Sequence, residues 1–152
     1  MINKKEIVKP YINLFIMQCI SFVTMYSVMF MNVSSFDHIY LSNSRTYMAF
    51  LMTAPMAPIM LIFMKKMYKD AKLNILVSVL SVSIFIFSFL GLRNQWFISD
   101  DQYMKAMIPH HSSAILTSEQ ASILEPEVKN LSEEIIRAQV KEINEMKKLL
   151  NQ

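Results

Sequence analysis

Three long apolar stretches dominate the first two thirds of the chain. Residues 11–31, 46–64 and 73–92 contain no Asp, Glu, Lys or Arg. Each is about 20 residues long, the length that a helix with a rise of about 1.5 Å per residue needs to cross the hydrocarbon core of a bilayer. The first stretch is too long for a cleavable signal peptide and lacks a small-x-small cleavage site, so it is interpreted as a retained anchor. The pattern predicts a membrane domain over residues 1–94.

A different pattern follows over residues 99–152, where apolar residues recur at helical spacing among many charges. Ser99 and Gln102 form a capping-box pattern that predicts a helix from about residue 100 to about residue 124. Pro126 is well placed to open a second helix that runs to about residue 150. The apolar stripe of this second helix consists of Val128, Leu131, Ile135, Ala138, Met146 and Leu149. Glu142 lies on the same stripe, which predicts a buried carboxylate that requires a partner.

Charge distinguishes the two parts and predicts the orientation of the chain. Lysines flank one side of the spans (Lys4, Lys5, Lys9, Lys65, Lys66, Lys69 and Lys72), whereas Arg45 and Arg93 flank the other. By the positive-inside rule, the N-terminus and the second loop are cytoplasmic and the C-terminal domain is periplasmic or extracellular. The basic half is also the apolar half, so the net charge of +3 reflects membrane topology and gives no indication of nucleic-acid binding.

The candidate chemistry lies in the predicted hairpin. Met104, Met107 and His111 follow one face of the first helix, while Gln139, Glu142 and Met146 repeat that spacing on the second. Pro109 precedes His110 and His111, and a kink there would turn both imidazoles toward one site. The alternative is that His111 simply forms a hydrogen bond with Glu142.

Imidazole and thioether donors suit copper as Cu(I) or Cu(II), and thioethers also suit silver. The chain contains fourteen methionines and a single cysteine, Cys19, which excludes an internal disulfide. The predicted metal ligands are His110, His111, Met107, Met146 and Met104, with Glu142 behind them as the partner of an imidazole. A weaker accessory site is predicted from His38, Asp37, Met48 and Met52.

The hairpin sequence resembles a known family. The segment from Asp101 through Met104, Met107 and the Pro-His-His of 109–111 to Ile115, followed by Gln139, Glu142 and Met146, is similar to the domain-of-unknown-function 305 family. This resemblance implies a ferritin-like helical domain associated with copper handling in bacteria. Phe36-Asp37-His38-Ile39-Tyr40-Leu41 and Ala54-Pro55-Met56-Ala57 resemble a subgroup that carries membrane spans. Family members with two hairpins form a four-helix unit, whereas this chain has one hairpin.

Together these features predict an all-α protein with three transmembrane helices and a ferritin-like hairpin that is completed to a four-helix bundle by homodimerisation. The membrane surface or the chain's own outer loop around Phe36 and Tyr40 could instead cover the hairpin. The expected function is copper tolerance or delivery at a bacterial inner membrane, with a copper donor or acceptor protein as partner. One alternative is a metal-free assembly or sensor subunit. A ferritin-like redox enzyme is disfavoured because no Glu-x-x-His occurs, so no catalytic residue is predicted.

Overall fold

The computed structural model describes residues 4–152, with side chains from Glu6 onward. The side chains of Lys4 and Lys5, on which part of the orientation prediction rests, therefore lie outside the described residues. The helices are α1 (Lys4–Val28), α2 (Asn43–Thr53), α3 (Met56–Phe63), α4 (Ala71–Arg93), α5 (Asp100–Gln120) and α6 (Pro126–Leu150), with a 3-10 turn at Phe36–His38. The described part of the chain contains no strand, so the all-α prediction is confirmed.

Three helical segments are long and apolar enough to cross a membrane, namely Glu6–Val28, Asn43–Phe63 and Ala71–Arg93. They overlap the three predicted spans. The second segment is broken between α2 and α3, because Pro55 and Pro58 lack the amide hydrogens that an uninterrupted helix requires. Next to this break, the Gln18 side-chain amide of α1 donates a hydrogen bond to the carbonyl oxygen of Thr53 at 3.1 Å.

The chain divides into two compact units. The membrane unit comprises the chain up to Val28 together with Thr46–Trp96, and the hairpin unit comprises Met29–Arg45 together with Phe97–Gln152. The sequence predicted two consecutive domains and raised the loop around Phe36 and Tyr40 as one possible cover of the hairpin. The structure groups the segment Met29–Arg45, called the outer segment below, with the hairpin. The core of the membrane unit is formed by Tyr11, Leu14, Ala57, Leu61 and Tyr68.

The hairpin unit is organised around a small apolar core of Ile108, Ile115 and Ile143. Tyr40 of the outer segment packs against this core, whereas Phe36 is exposed. The sequence placed both residues in a loop that could cover the hairpin, and only Tyr40 has that role. The Ser99 hydroxyl accepts a hydrogen bond from the Gln102 amide at 3.4 Å, which confirms the predicted start of α5.

Helix α6 presents a different face to α5 from the one predicted. Ser132 and Ile143 are buried, and Ile136, Met146 and Leu150 pack against the core. Four residues of the predicted stripe are exposed: Val128, Leu131, Ile135 and Leu149. At 3.6 residues per turn the two apolar faces lie about a quarter turn apart, and a single partner helix covers only one of them. The prediction that Glu142 lies on a buried face was wrong, since its side chain is half exposed.

Candidate metal centre

An imidazole–carboxylate pair links the two helices of the hairpin. His111 Nε2 lies 2.7 Å from Glu142 Oε2, with the His111 side chain 15% exposed and that of Glu142 50% exposed. The pair joins the middle of α5 to α6 at the edge of the apolar core. The register of an antiparallel hairpin turning near Pro126 predicted that His111 faces Gln139, and the His111–Glu142 hydrogen bond was the alternative to metal binding; the structure contains this hydrogen bond.

The second ring nitrogen of His111 lacks a hydrogen-bond partner in the described part of the chain. His111 Nδ1 is buried and makes no hydrogen bond to any described residue. When Nε2–H donates to the Glu142 carboxylate, the neutral imidazole keeps its lone pair on Nδ1. A buried polar atom without a hydrogen bond is uncommon in proteins and calls for an explanation such as an ion. A carboxylate behind one ring nitrogen is also the usual arrangement for a metal-bound histidine, whose other nitrogen binds the metal.

His110 lies beside His111 but is exposed. The two ring centroids are 6.0 Å apart, with the ring planes at 64° to each other. Helix α5 continues through Pro109, which is itself buried. The two imidazoles are therefore neighbours with different surroundings: His110 faces solvent, and His111 faces α6.

The predicted methionine ligands lie on the same two helices. Met104, Met107 and Met146 are each half buried. Among the described residues, no three His, Cys, Asp or Glu side chains come together in the arrangement of a metal site. A site at His111 would therefore take its remaining donors from His110 and from methionine sulfur, which selects soft or borderline ions.

A buried hydroxyl lies directly after the two histidines. Ser112 is fully buried, and its Oγ is 2.8 Å from the Ser34 amide nitrogen, 3.0 Å from Ser34 Oγ and 2.9 Å from His38 Nδ1. Asn32 Nδ2 donates to the neighbouring Ser113 Oγ at 2.6 Å. These contacts hold the outer segment against α5. Nothing in the sequence pattern indicated the role of Ser112, because a serine in a helix carries no periodic signature of a long-range contact.

Charged groups attach the outer segment to α6. The Asp37 carboxylate accepts hydrogen bonds from the Lys147 ammonium and the Ser35 hydroxyl, and the Lys147 bond contributes most to lowering the Asp37 pKa to about 2. Burial, together with the charge of Lys147, lowers the pKa of His38, while Asp37 opposes that shift. His38 Nε2 lies 3.8 Å from Asp37 Oδ1.

The residues predicted for an accessory metal site belong to two different units. His38 and Asp37 belong to the hairpin unit, whereas Met48 and Met52 belong to the membrane unit, where both are exposed on α2. His38 already uses Nδ1 for its hydrogen bond with Ser112. The accessory site stays a prediction.

Comparison with known proteins identifies a family for the C-terminal hairpin. The family described as "Domain of unknown function (DUF305)" matches residues 92–152. The chain is also 35% identical over 135 residues to "Uncharacterized protein L153" of Acanthamoeba polyphaga mimivirus, a match that covers 87% of each chain. No solved structure matches the chain.

Proposed function

The chain belongs to the DUF305 family, and we propose that it is a membrane-anchored copper-binding protein of copper tolerance or delivery. The observation that carries the proposal is the His111 imidazole, held by Glu142 through Nε2 and left without a partner at a buried Nδ1. An imidazole fixed in one tautomer by a carboxylate is prepared to bind a metal ion. We assign binding rather than catalysis, because the chain lacks the Glu-x-x-His pairs that ferritin-like oxidases use.

The donor types favour copper among the common metals. His110, His111, Met107, Met146 and Met104 would supply nitrogen and sulfur, with Glu142 as hydrogen-bond partner rather than ligand. Imidazole suits Cu(II) and thioether suits Cu(I), while calcium and magnesium require several oxygen ligands. Silver shares the preference for sulfur and would bind the same site.

Copper titration of the purified protein tests the proposal. We expect about one copper ion per hairpin. Replacing both His110 and His111 by alanine should lower the copper affinity at least tenfold, because losing even a residue that hydrogen-bonds to a metal ligand lowers metal affinity about tenfold. His38→Ala is measured beside it and leaves the His111–Glu142 pair in place; because His38 belongs to the predicted accessory site, its separate loss of affinity shows how much copper binding depends on that site. Affinity would be measured by competition with a copper chelator. A parent protein that binds no copper would reject this function and favour a metal-free assembly or sensor subunit.

We further propose that two hairpins form a four-helix bundle through the exposed stripe of α6. Leu131, Ile135 and Leu149 are exposed on this stripe, and an exposed apolar helix face normally finds a partner. Glu142 lies on the same face, so dimerisation would bury the His111–Glu142 pair more deeply. A two-fold dimer is the commonest closed assembly.

The oligomeric state can be measured by light scattering of the solubilised protein, corrected for detergent. We expect a dimer for the parent and a monomer for Leu131→Lys combined with Ile135→Lys. Val140→Lys is the control, because Val140 is also an exposed residue of α6 but points away from the stripe. A monomeric parent at micromolar concentration, with the hairpin still helical, would contradict the dimer.

The proposed function requires the hairpin unit to lie on the non-cytoplasmic side of the bacterial inner membrane. The lysines between α3 and α4 favour a cytoplasmic position for that loop. A reporter fused after Gln152 is expected to be exported, and one inserted at Lys69 to remain cytoplasmic. A cytoplasmic signal at the C-terminus would overturn the orientation and place the copper site on the wrong side.

A further inference from the structure

A groove runs along the membrane unit between α3 and α4. Its volume is about 650 Å³, within the range of about 300–1,000 Å³ that small-molecule sites occupy. Its lining includes Ile62, Lys65, Lys69, Ile75, Ser78 and Val79. Apolar side chains therefore form most of the groove, and two lysines stand at the end where α3 gives way to the loop.

The floor of the groove is held in place by hydrogen bonds. Asn74 Nδ2 donates to the Tyr68 carbonyl oxygen at 3.0 Å, and Asn74 Oδ1 accepts from the Tyr11 hydroxyl at 2.8 Å. Tyr68 is itself 3% exposed and packs edge to face on Tyr11, with ring centroids 5.2 Å apart. These contacts tie α1, the loop and the start of α4 together, so the groove is a built feature of the unit.

The lysine end of the groove carries two positive charges, those of Lys65 and Lys69. None of the ion pairs between described residues involves Lys65 or Lys69. The nearest acid along the chain, Asp70, caps α4 by accepting from the amides of Lys72 and Leu73. Among the described residues no acidic side chain lines the groove itself, whereas Glu6 and Asp70 line a neighbouring hollow that also includes Lys69.

An apolar slot with two ammonium groups at one end matches one class of ligand. We propose that the groove binds an anionic phospholipid, with an acyl chain along Ile62, Ile75 and Val79 and the headgroup phosphate on Lys65 and Lys69. Basic pockets between transmembrane helices on the cytoplasmic side are known lipid headgroup sites. The proposal is independent of the copper site, which lies in the other unit.

Native mass spectrometry of the detergent-solubilised full chain tests the inference. Phosphatidylglycerol is expected to bind more tightly than phosphatidylcholine with the same acyl chains. Lys65→Gln combined with Lys69→Gln is expected to lower the affinity for phosphatidylglycerol about thirtyfold, because each lysine near a membrane surface raises the affinity for anionic lipid by a factor of about five. Phosphatidylcholine binding should hardly change, because its headgroup has no net charge.

Two further variants separate the groove from general electrostatics. Lys66→Gln combined with Lys72→Gln removes the same charge from the same loop, but neither residue lines the groove, so most of the phosphatidylglycerol preference should remain. Ser78→Phe fills the groove and leaves both lysines in place, so it should weaken the binding of both lipids. Equal affinity of the parent for the two lipids, an equal loss in both lysine pairs, or unchanged binding in Ser78→Phe would each overturn the proposal. Circular dichroism confirms that each variant remains helical.

Discussion

Replacing Ser112 by alanine is the most direct test of how the outer segment is held to the hairpin. The Ser112 hydroxyl is fully buried and lies within hydrogen-bond distance of the Ser34 amide, the Ser34 hydroxyl and His38 Nδ1. Alanine fits the space and keeps the helix, so the change removes only the shared oxygen. The Ser34 amide and the His38 ring nitrogen then lose their partner.

The size of the effect follows from what is left unpaired. Leaving a buried donor or acceptor unsatisfied costs about 1–3 kcal/mol. When this free-energy cost destabilises the docked outer segment relative to its locally released state, the equilibrium constant for release rises by about five- to 150-fold. Global unfolding need not change by the same amount, because Tyr40 and the Asp37–Lys147 pair still attach the segment to the hairpin.

Hydrogen exchange of the purified protein measures this opening. Peptides covering residues 30–42 should lose protection in Ser112→Ala by the factor given above, while those from α6 should change little. Ser113→Ala is the matched control: its hydroxyl accepts one hydrogen bond from Asn32 between exposed groups, which water can replace, so its effect should be several times smaller. Equal protection in Ser112→Ala and the parent would refute the assigned role of Ser112.

Further predictions concern pH and packing. The pKa of His38 lies below its ordinary 6.5, so its neutral form stabilises the docked segment; protection of residues 30–42, corrected for intrinsic exchange, should be complete above about pH 6.5 and fall below it. His38→Gln should abolish that dependence, and a persisting pH effect would contradict it. Because the pKa of Asp37 is about 2, its ionised form stabilises the docked outer segment above about pH 4, and this stabilisation is lost toward pH 2. Asp37→Asn should remove it and destabilise the docked segment by less than about 1 kcal/mol, since the pair with Lys147 is exposed. The same hydrogen-exchange experiment measures the change. In the membrane unit, a Cβ at Gly91 would lie 2.9 Å from Tyr47 Cζ, so Gly91→Ala should lower the Tm even though alanine favours the helix by about 1 kcal/mol; an unchanged or higher Tm would show that the ring moves freely.

The features that the sequence predicted have local, one-dimensional signatures. Uncharged stretches of about 20 residues define the spans. The start of α5 follows from Ser99 and the amide of Gln102, three residues later. The register of a tight hairpin placed His111 opposite Gln139, one turn away from Glu142, so the His111–Glu142 hydrogen bond was within reach but was only an alternative interpretation. Each of these depends on residues close in sequence or on one geometric assumption.

The features that the sequence missed depend on which face an element turns toward its neighbour. Helix α6 carries two apolar faces a quarter turn apart, and the pattern alone cannot tell which one packs on α5. The side chain of Gln102 was expected to reach back to Ser99, but its oxygen accepts from the Asn43 amide at 2.8 Å. Partners such as Ser34 and Ser112, 78 positions apart, have no pattern that joins them before the chain folds.

The turn of α5 from His110 to Ser113 contacts several different neighbours. This explains why four consecutive polar residues lie beside the apolar core of the hairpin. Successive helical residues point about 100° apart, so His110 meets solvent, His111 meets Glu142 of α6, and Ser112 meets the outer segment. Ser113 then meets Asn32 of that segment. The imidazole proposed to bind copper is therefore fixed by α6 alone, although it is adjacent in sequence to the serine that docks the outer segment. This division predicts that release of the outer segment and loss of copper binding are separable. Ser112→Ala should release the segment with less than a tenfold change in copper affinity. Glu142→Gln should lower the copper affinity and leave the segment protected from hydrogen exchange.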